Sequence, residues 1–253
     1  MRVENNIPDR ERNRILGALP EPVYRRLLPD LSYVVLEVAD VLFEPGREID
    51  ALYFPVDGVV SLVTPLEDGA IVEVATIGNE GIVGVPLGNG GAPATVRAIS
   101  QVAGASLRIG TRVFSSAVAR HGPFEMLVHS YEQALFSQIA QAAACNRLHS
   151  NEERLSRWLL MSHDRVGRDE FAITQEFLAQ MLGSRRATVT LSAGILQRAG
   201  LIRYRRGHMI IVDREGLEGA SCECYRIIKT TLDRVLTSPA QRDGDHQLVS
   251  ARD

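Results

Sequence analysis

Residues 174–202, TQEFLAQMLGSRRATVTLSAGILQRAGLI, contain two short amphipathic segments joined through one glycine. Thr174 can cap the first segment and Ser184 the second, because a hydroxyl at an N-cap accepts a bond from a free backbone N–H. Gly183 can take the positive φ of a sharp turn, and Gly200 suits the position that follows a helix. The pattern predicts a helix-turn-helix unit.

The predicted second helix begins with Arg185 and Arg186, where the helix dipole disfavours cations. DNA phosphates or guanine edges would offset that cost. The next segment, IRYRRGHMIIVD, predicts two strands around a Gly207 turn, a wing with arginines near its tip. Residues 174–210 hold six arginines and one acid, whereas the whole chain has a net charge of -3. This asymmetry indicates a local DNA-binding surface on an acidic protein.

Three segments with different sequence patterns precede this unit. Residues up to about 31 predict short helices, and residues 33–114 alternate short apolar runs with turn sequences, which predicts an all-β sandwich or barrel. From residue 123 to about 147 a seven-residue apolar repeat predicts one long helix. The apolar side of this helix could pack on the β-domain of the same chain or on a second copy of the chain. The periodicity alone favours neither alternative. The candidate dimer-interface residues are Val128, Tyr131, Leu135, Ile139 and Ala142.

Several classes of protein are disfavoured. The chain has no apolar run long enough to span a bilayer and no apolar signal core near its start, so we expect a cytoplasmic protein without a membrane partner. It has no nucleophile elbow, P-loop or HExxH motif, so we expect no enzyme.

The hypothesis that competes with DNA binding is a ligand-binding or scaffold module whose helix-turn-helix contacts protein rather than DNA.

The segment ITQEFLAQMLGSRRATVTLSAGILQRAGLI with its wing resembles the Crp/Fnr family of transcription regulators, and the order of segments along the chain matches that family. The resemblance implies an α+β fold with an N-terminal, jelly-roll-like β-roll sensor, a long dimerisation helix and a C-terminal winged helix-turn-helix. The expected divisions are 1–122, 123–149 and 150–237, with 238–253 a disordered tail.

The resemblance also implies partners and contact residues. We expect a homodimer on a pseudo-palindromic double-stranded DNA site, with RNA polymerase as a further partner. Ala187 and Leu191 replace a glutamate and an arginine of many members, so the target half-site need not be the usual one. The candidate DNA-binding residues are Thr174, Gln175, Ser184, Arg185, Arg186, Thr188, Thr190, Arg205 and Arg206.

The effector is expected to be an unknown small molecule other than cyclic AMP, if the β-roll binds any effector. Members that bind cyclic AMP hold its phosphate with an arginine and a serine, where this chain has Ala92 and Pro93. Ile139 and Ala140 stand near the adenine-contacting hydroxyls of such members. The candidate pocket residues are Gly78, Glu80, Gly81, Gly91, Ala92, Thr95 and Ile139.

No haem, iron–sulfur cluster or metal is expected. The chain has no cysteine before Cys145 and no histidine before His121, which disfavours the N-terminal iron–sulfur cluster and the haem ligands used by relatives. Cys222 and Cys224 are interpreted as small, semi-buried residues of a packing helix. On a regular helix i and i+2 point to different sides, so joint metal ligation would need a broken helix. Cys145 is interpreted as a plain interface residue.

Overall fold

The computed structural model describes residues 9–85 and 93–236 and the short strand Arg2–Glu4 (β1). Two short helices come next, α1 (Arg14–Gly17) and α2 (Glu21–Leu27). Seven strands follow: β2 (Ser32–Leu36), β3 (Val41–Phe43), β4 (Ala51–Pro55), β5 (Val59–Pro65), β6 (Ile71–Ile77), β7 (Arg97–Val102) and β8 (Gly104–Gly110).

These strands form two antiparallel sheets with the orders β1-β2-β8-β4 and β3-β7-β5-β6. Their apolar side chains face each other, and β4 is buried along its whole length. Gly58 and Gly104 lie back to back, where a Cβ on Gly104 would collide with the Gly58 backbone and a Cβ on Gly58 with the Val102 carbonyl. The predicted all-β sandwich is therefore a β-roll with a continuous core.

The remaining elements are helical except for one small sheet. They are α3 (Thr111–Val118), α4 (Pro123–Leu148), α5 (Asn151–Val166), β9 (Glu170–Ala172), α6 (Gln175–Met181), α7 (Arg186–Arg198), β10 (Ile202–Arg205), β11 (His208–Ile211), α8 (Arg214–Gly219) and α9 (Cys224–Leu236). The α+β fold class with a β-roll, a long helix and a winged helix-turn-helix is confirmed. The predicted tail, 238–253, lies outside the described residues. No helix in the described part is long and apolar enough to cross a membrane.

The apolar side of α4 packs inside its own chain. Val128, Tyr131, Leu135 and Ala142 are all buried without a second copy, and Gln138 donates from Nε2 to the Thr76 carbonyl of β6 at 2.9 Å. These four side chains are therefore not free to meet a partner in this conformation, which corrects their assignment to a dimer interface. Ile139 is half-buried at the edge of this packing.

Helix α5 lies between the β-roll and the helix-turn-helix. A capping box of Ser150 and Glu153 begins it, and Gly167, with φ of +66°, ends it. Eleven of its 16 residues are buried, including three arginines. Trp158 at its centre is part of the core and donates from Nε1 to Glu73 of β6 at 3.1 Å. The helix therefore couples the two halves of the molecule.

Candidate nucleic-acid interface and sensor site

The helix-turn-helix forms from local signals. Thr174 caps α6 by accepting a bond from the Phe177 N–H at 3.1 Å, and Gly183 turns the chain with φ of +56°. The predicted Ser184 cap is wrong. Its hydroxyl binds Asn151 of α5 at 2.6 Å, and Arg185 takes the N-cap position without a side-chain capping bond. The second helix therefore starts at Arg186, with two arginines at its free N–H groups.

The two faces of α7 differ as predicted. Val189, Ala193 and Leu196 are buried against the rest of the unit. The outer face is exposed and begins with the arginine pair, continuing through Ala187, Thr190 and Leu191, whereas Thr188 is half-buried. Thr190 lies 2.8 Å from the Gln175 side-chain oxygen, which joins the start of α6 to the outer face of α7.

The wing is a two-residue hairpin. Strands β10 and β11 pair through Arg205 and His208, and both turn residues, Arg206 and Gly207, have positive φ. Such a turn matches the twist of a hairpin but favours asparagine or glycine at its first position. The Tyr204 N–H donates to Gln197 of α7 at 2.8 Å, which fixes the wing against the second helix. Strand β9, not predicted from sequence, adds a third strand beside β11.

The basic side chains of this surface are exposed and unneutralised. Among the described residues, no carboxylate forms an ion pair with Arg185, Arg186, Arg203, Arg205 or Arg206. His208 pairs with Glu170 at 3.1 Å. The positive field of these arginines is therefore available to an anionic ligand.

The candidate sensor residues near the end of β6 are packed by the chain itself. Glu80 binds Arg165 of α5, with 2.8 Å between the carboxylate and Nη2, and also accepts from the Gly78 N–H at 3.1 Å. A Cβ on Gly78 would collide with the Arg165 stem, and one on Gly81 with the Tyr131 phenol. These glycines permit close packing rather than an open cradle, which corrects their assignment to a free pocket in this conformation.

The other candidate pocket residues do not join this group. Thr95 is exposed and Ile139 is half-buried on α4. Gly91 and Ala92 lie outside the described residues. Arg97, the arginine nearest to the family's phosphate position, pairs with Glu44 at 2.8 Å. A cavity of about 60 Å³ lies beside Glu80, between the sensor and α9, and its charged side chains are largely paired with one another.

A buried polar network was missed by sequence reasoning. Glu73 of β6 contacts Ser61 at 2.7 Å, and Ser61 contacts Gln101 at 2.6 Å. Gln101 in turn donates to Ser162 of α5 at 3.3 Å. Burial raises the pKa of Glu73 to about 7, against the lowering effects of the Ser61 hydrogen bond and the Arg157 charge. The partners lie up to 85 positions apart, so no local pattern indicates them.

The cysteines are also placed differently from the prediction. Helix α8 ends at Gly219 and α9 begins only at Cys224, so Cys222 lies in the turn between two helices. The argument that Cys222 and Cys224 diverge on a regular helix is therefore wrong. Cys145 and His149 face them from the end of α4, and one ligand atom from each of the four lies within 4.8 Å of the others. This cluster could hold a metal ion.

Two family models match the chain. The cyclic nucleotide-binding domain matches residues 33–121, and the Crp-like helix-turn-helix domain matches residues 153–220. A search of curated proteins finds no significant match.

Solved structures share the fold at low identity. FixK2 from Bradyrhizobium japonicum is 13% identical, with a TM-score of 0.65 over 76% of this chain and 98% of that one. A putative transcriptional regulator of the Crp/Fnr family from Eubacterium rectale is 16% identical, with a TM-score of 0.64 over 83% and 98%. A CRP family regulator from Thermus thermophilus is 20% identical, with a TM-score of 0.61 over 76% and 99%.

Proposed function

The chain belongs to the Crp/Fnr family of transcription regulators, and from this premise we propose that it is a homodimeric, sequence-specific DNA-binding regulator. Its recognition helix is α7, and its effector is a small molecule other than cyclic AMP. RNA polymerase is the proposed protein partner at the promoter. Two copies of α7 would enter successive major grooves about 34 Å apart on a pseudo-palindromic site.

The observation that carries this proposal is the arginine pair at the start of α7. Both side chains are exposed, and neither has a carboxylate partner among the described residues. Two cations at a helix N-terminus destabilise it, and no acid in the first turn compensates them. Guanine edges and phosphates supply the missing negative partners. We assign base reading to Arg185 and Arg186, and backbone contacts to Thr174, Gln175, Ser184, Thr188, Thr190, Arg205 and Arg206.

A second copy would pack on the outer face of α4. Phe136 is 71% exposed there, and Ala140 and Ala143 continue the same stripe at helical spacing. Small residues let two helices approach closely, and the exposed aromatic side chain beside them supplies apolar surface for a second copy to bury. Ile139 is half-buried at the edge of this stripe. It is the one candidate dimer-interface residue that we retain.

The Glu80–Arg165 contact suggests how an effector would act. A ligand that enters beside Gly78 and Gly81 must displace Arg165 or Tyr131, because these side chains fill the space. Arg165 belongs to α5, which contacts the helix-turn-helix through the Ser184–Asn151 bond. A ligand with higher affinity for the displaced state would shift the population towards it and reorient the DNA-binding unit. The alanine at position 92 further disfavours the phosphate of cyclic AMP.

Salt dependence of binding tests DNA as the partner. Wild-type protein is titrated onto a random-sequence duplex at several salt concentrations, beside Arg205→Ala/Arg206→Ala and the matched control Arg25→Ala, an exposed arginine of α2. We expect a steep decrease of log affinity with log salt for wild type and the control, and a slope smaller by about 0.9 per lost phosphate contact in the double variant. No binding at low salt would favour the scaffold alternative.

Sedimentation tests the dimer separately. Phe136→Glu should shift the protein towards monomer, because it places a charge in the proposed contact between the two α4 helices. Met126→Glu is the matched control, since Met126 is 61% exposed on the same helix but lies about 80° around it from Phe136. An unchanged dimer in Phe136→Glu would place the second copy elsewhere.

A further inference from the structure

We propose that Cys145, His149, Cys222 and Cys224 bind one zinc ion, which joins the end of α4 to the start of α9. Three cysteines and one histidine are a donor set of closed structural zinc sites. The site lies apart from the proposed DNA surface and from the sensor residues around Glu80.

The geometry suits a single ion. The sulfurs of Cys145 and Cys222 are 3.5 Å apart, and the Cys224 sulfur is 3.5 Å from Nδ1 of His149. A tetrahedral zinc with Zn–S bonds of about 2.3 Å holds its sulfurs about 3.8 Å from one another. All four donors already lie within 4.8 Å of each other, so small side-chain movements complete the tetrahedron.

The backbone presents the donors from two rigid elements. Cys145 and His149 are one turn apart at the end of α4 and therefore share a face. Cys222 is in the turn before α9, and Cys224 is the first residue of that helix. The three cysteines are buried together as a cluster separate from the main hydrophobic core.

The surroundings are those of a metal site rather than an apolar contact. His149 turns Nδ1 towards Cys224, while its Nε2 lies 3.3 Å from a Glu223 carboxylate oxygen. A carboxylate on the far ring nitrogen is the usual support of a metal-bound histidine, because it fixes the tautomer and the ring orientation. Gln141 donates to the Cys224 sulfur at 3.0 Å, which suits a thiolate acceptor.

Charge balance favours the same assignment. Arg154 and Arg157 of α5 are buried beside Cys145, and the Nε of each has no hydrogen-bond partner in the described structure. Three thiolates and one Zn²⁺ carry a net charge of −1, which two neighbouring guanidinium groups compensate. A Cys145–Cys222 disulfide, the competing product of so short a sulfur separation, carries no charge and would leave Arg154 and Arg157 without an anionic thiolate beside them.

Metal analysis of the full-length protein tests the proposal. The protein is purified under reducing conditions, reconstituted with Zn²⁺, dialysed against a weak chelator and analysed for zinc and protein. We expect about one zinc per chain in wild type, and a loss of most of it in Cys224→Ser and His149→Ala. His121→Ala is the matched control, because its side chain is 81% exposed and remote from the cluster in sequence. It should retain the full zinc content.

A measurement on wild type keeps the test decisive if the variants do not fold. Titration of the three thiols with a mercurial should release zinc into a coloured chelator in proportion to thiol modification. Cobalt(II) in place of zinc should give the absorption of a tetrahedral thiolate site. Wild-type protein that takes up no zinc, that contains a metal-free Cys145–Cys222 disulfide after reducing purification, or that holds iron in place of zinc would overturn the proposal.

Discussion

Arg165 of α5 and Glu80, just beyond β6, form a buried ion pair with 2.8 Å between Nη2 and the carboxylate, and their side chains are 4% and 6% exposed. The same guanidinium donates to the Thr76 carbonyl at 3.0 Å. The pair therefore ties the β-roll to the helix that precedes the DNA-binding unit. A rearrangement that separates α5 from the β-roll must break it.

Removing one partner of this pair should lower the free energy of unfolding more than removing both charges does. Arg165→Met leaves the Glu80 carboxylate buried without a cation, and we expect a loss of about 3–5 kcal/mol in the free energy of unfolding. Arg165→Met/Glu80→Gln should recover part of that loss, because no unpaired charge remains. Urea denaturation of both variants and of Glu80→Gln measures the coupling. Additive losses would show that the two side chains do not interact.

Glu73 should make stability depend on pH. Burial raises its pKa in the folded state to about 7, above the ordinary value of 4.5. Its contribution to stability is therefore fully present below about pH 4.5 and is lost as the pH rises through about 7. The Ser61 hydroxyl, with one proton and acceptors on both sides, agrees with a protonated Glu73 that donates to it.

Glu73→Gln mimics the protonated carboxyl and should remove this dependence. We expect the variant to gain up to about 3 kcal/mol relative to wild type between pH 5 and pH 8, measured by urea denaturation. Glu67→Gln replaces an exposed acid on the turn between β5 and β6. Its free energy of unfolding should depend on pH in the same way as that of wild type. Parallel profiles for Glu73→Gln and wild type would mean that Glu73 is ionised throughout.

Arg186→Ala should change sequence preference as well as affinity. Loss of one bidentate contact to a guanine costs about 1–3 kcal/mol and relaxes discrimination at one base pair of each half-site. The affinity of this variant for random duplex should fall less than its affinity for the preferred site. The measurement is competition binding against a panel of single-base substitutions of the preferred site. An equal decrease for specific and random DNA would assign Arg186 to the phosphate backbone instead.

Arg206 should oppose stability and support DNA binding. It holds a φ of +50°, which a non-glycine residue adopts at a cost of about 1 kcal/mol and asparagine tolerates better. Arg206→Asn should therefore keep or raise the melting temperature while it weakens DNA binding and lowers the salt slope by about 0.9. A variant with unchanged DNA affinity and salt slope would remove the wing tip from the interface.

The local parts of the fold were predictable. The Thr174 cap, the turn at Gly183, the glycine after α7 and the Gly207 hairpin each depend on residues within a few positions, and the structure forms all four. Ser184 was the exception, because its hydroxyl finds a stronger partner in Asn151, 33 residues away. Caps compete with tertiary contacts that no short window contains.

The long-range parts were not predictable. The seven-residue repeat of α4 indicates an apolar side but not what covers it, and the β-roll rather than a second copy buries Tyr131. The interruption between α8 and α9 contains no proline, so the sequence of residues 220–225, ASCECY, predicts a continuous helix there. Only the fold brings its cysteines to Cys145, 77 residues away from Cys222.

Selection of bound sequences from a random duplex library tests the central claim most directly. Purified wild-type protein, with no effector added and again with small molecules from a cell extract, is taken through successive rounds beside Arg185→Ala/Arg186→Ala. The account predicts a two-fold symmetric motif with half-sites one helical turn apart in wild type, and loss of that motif in the double variant. Failure of wild type to enrich any motif under both conditions would contradict the assignment of α7 as a recognition helix.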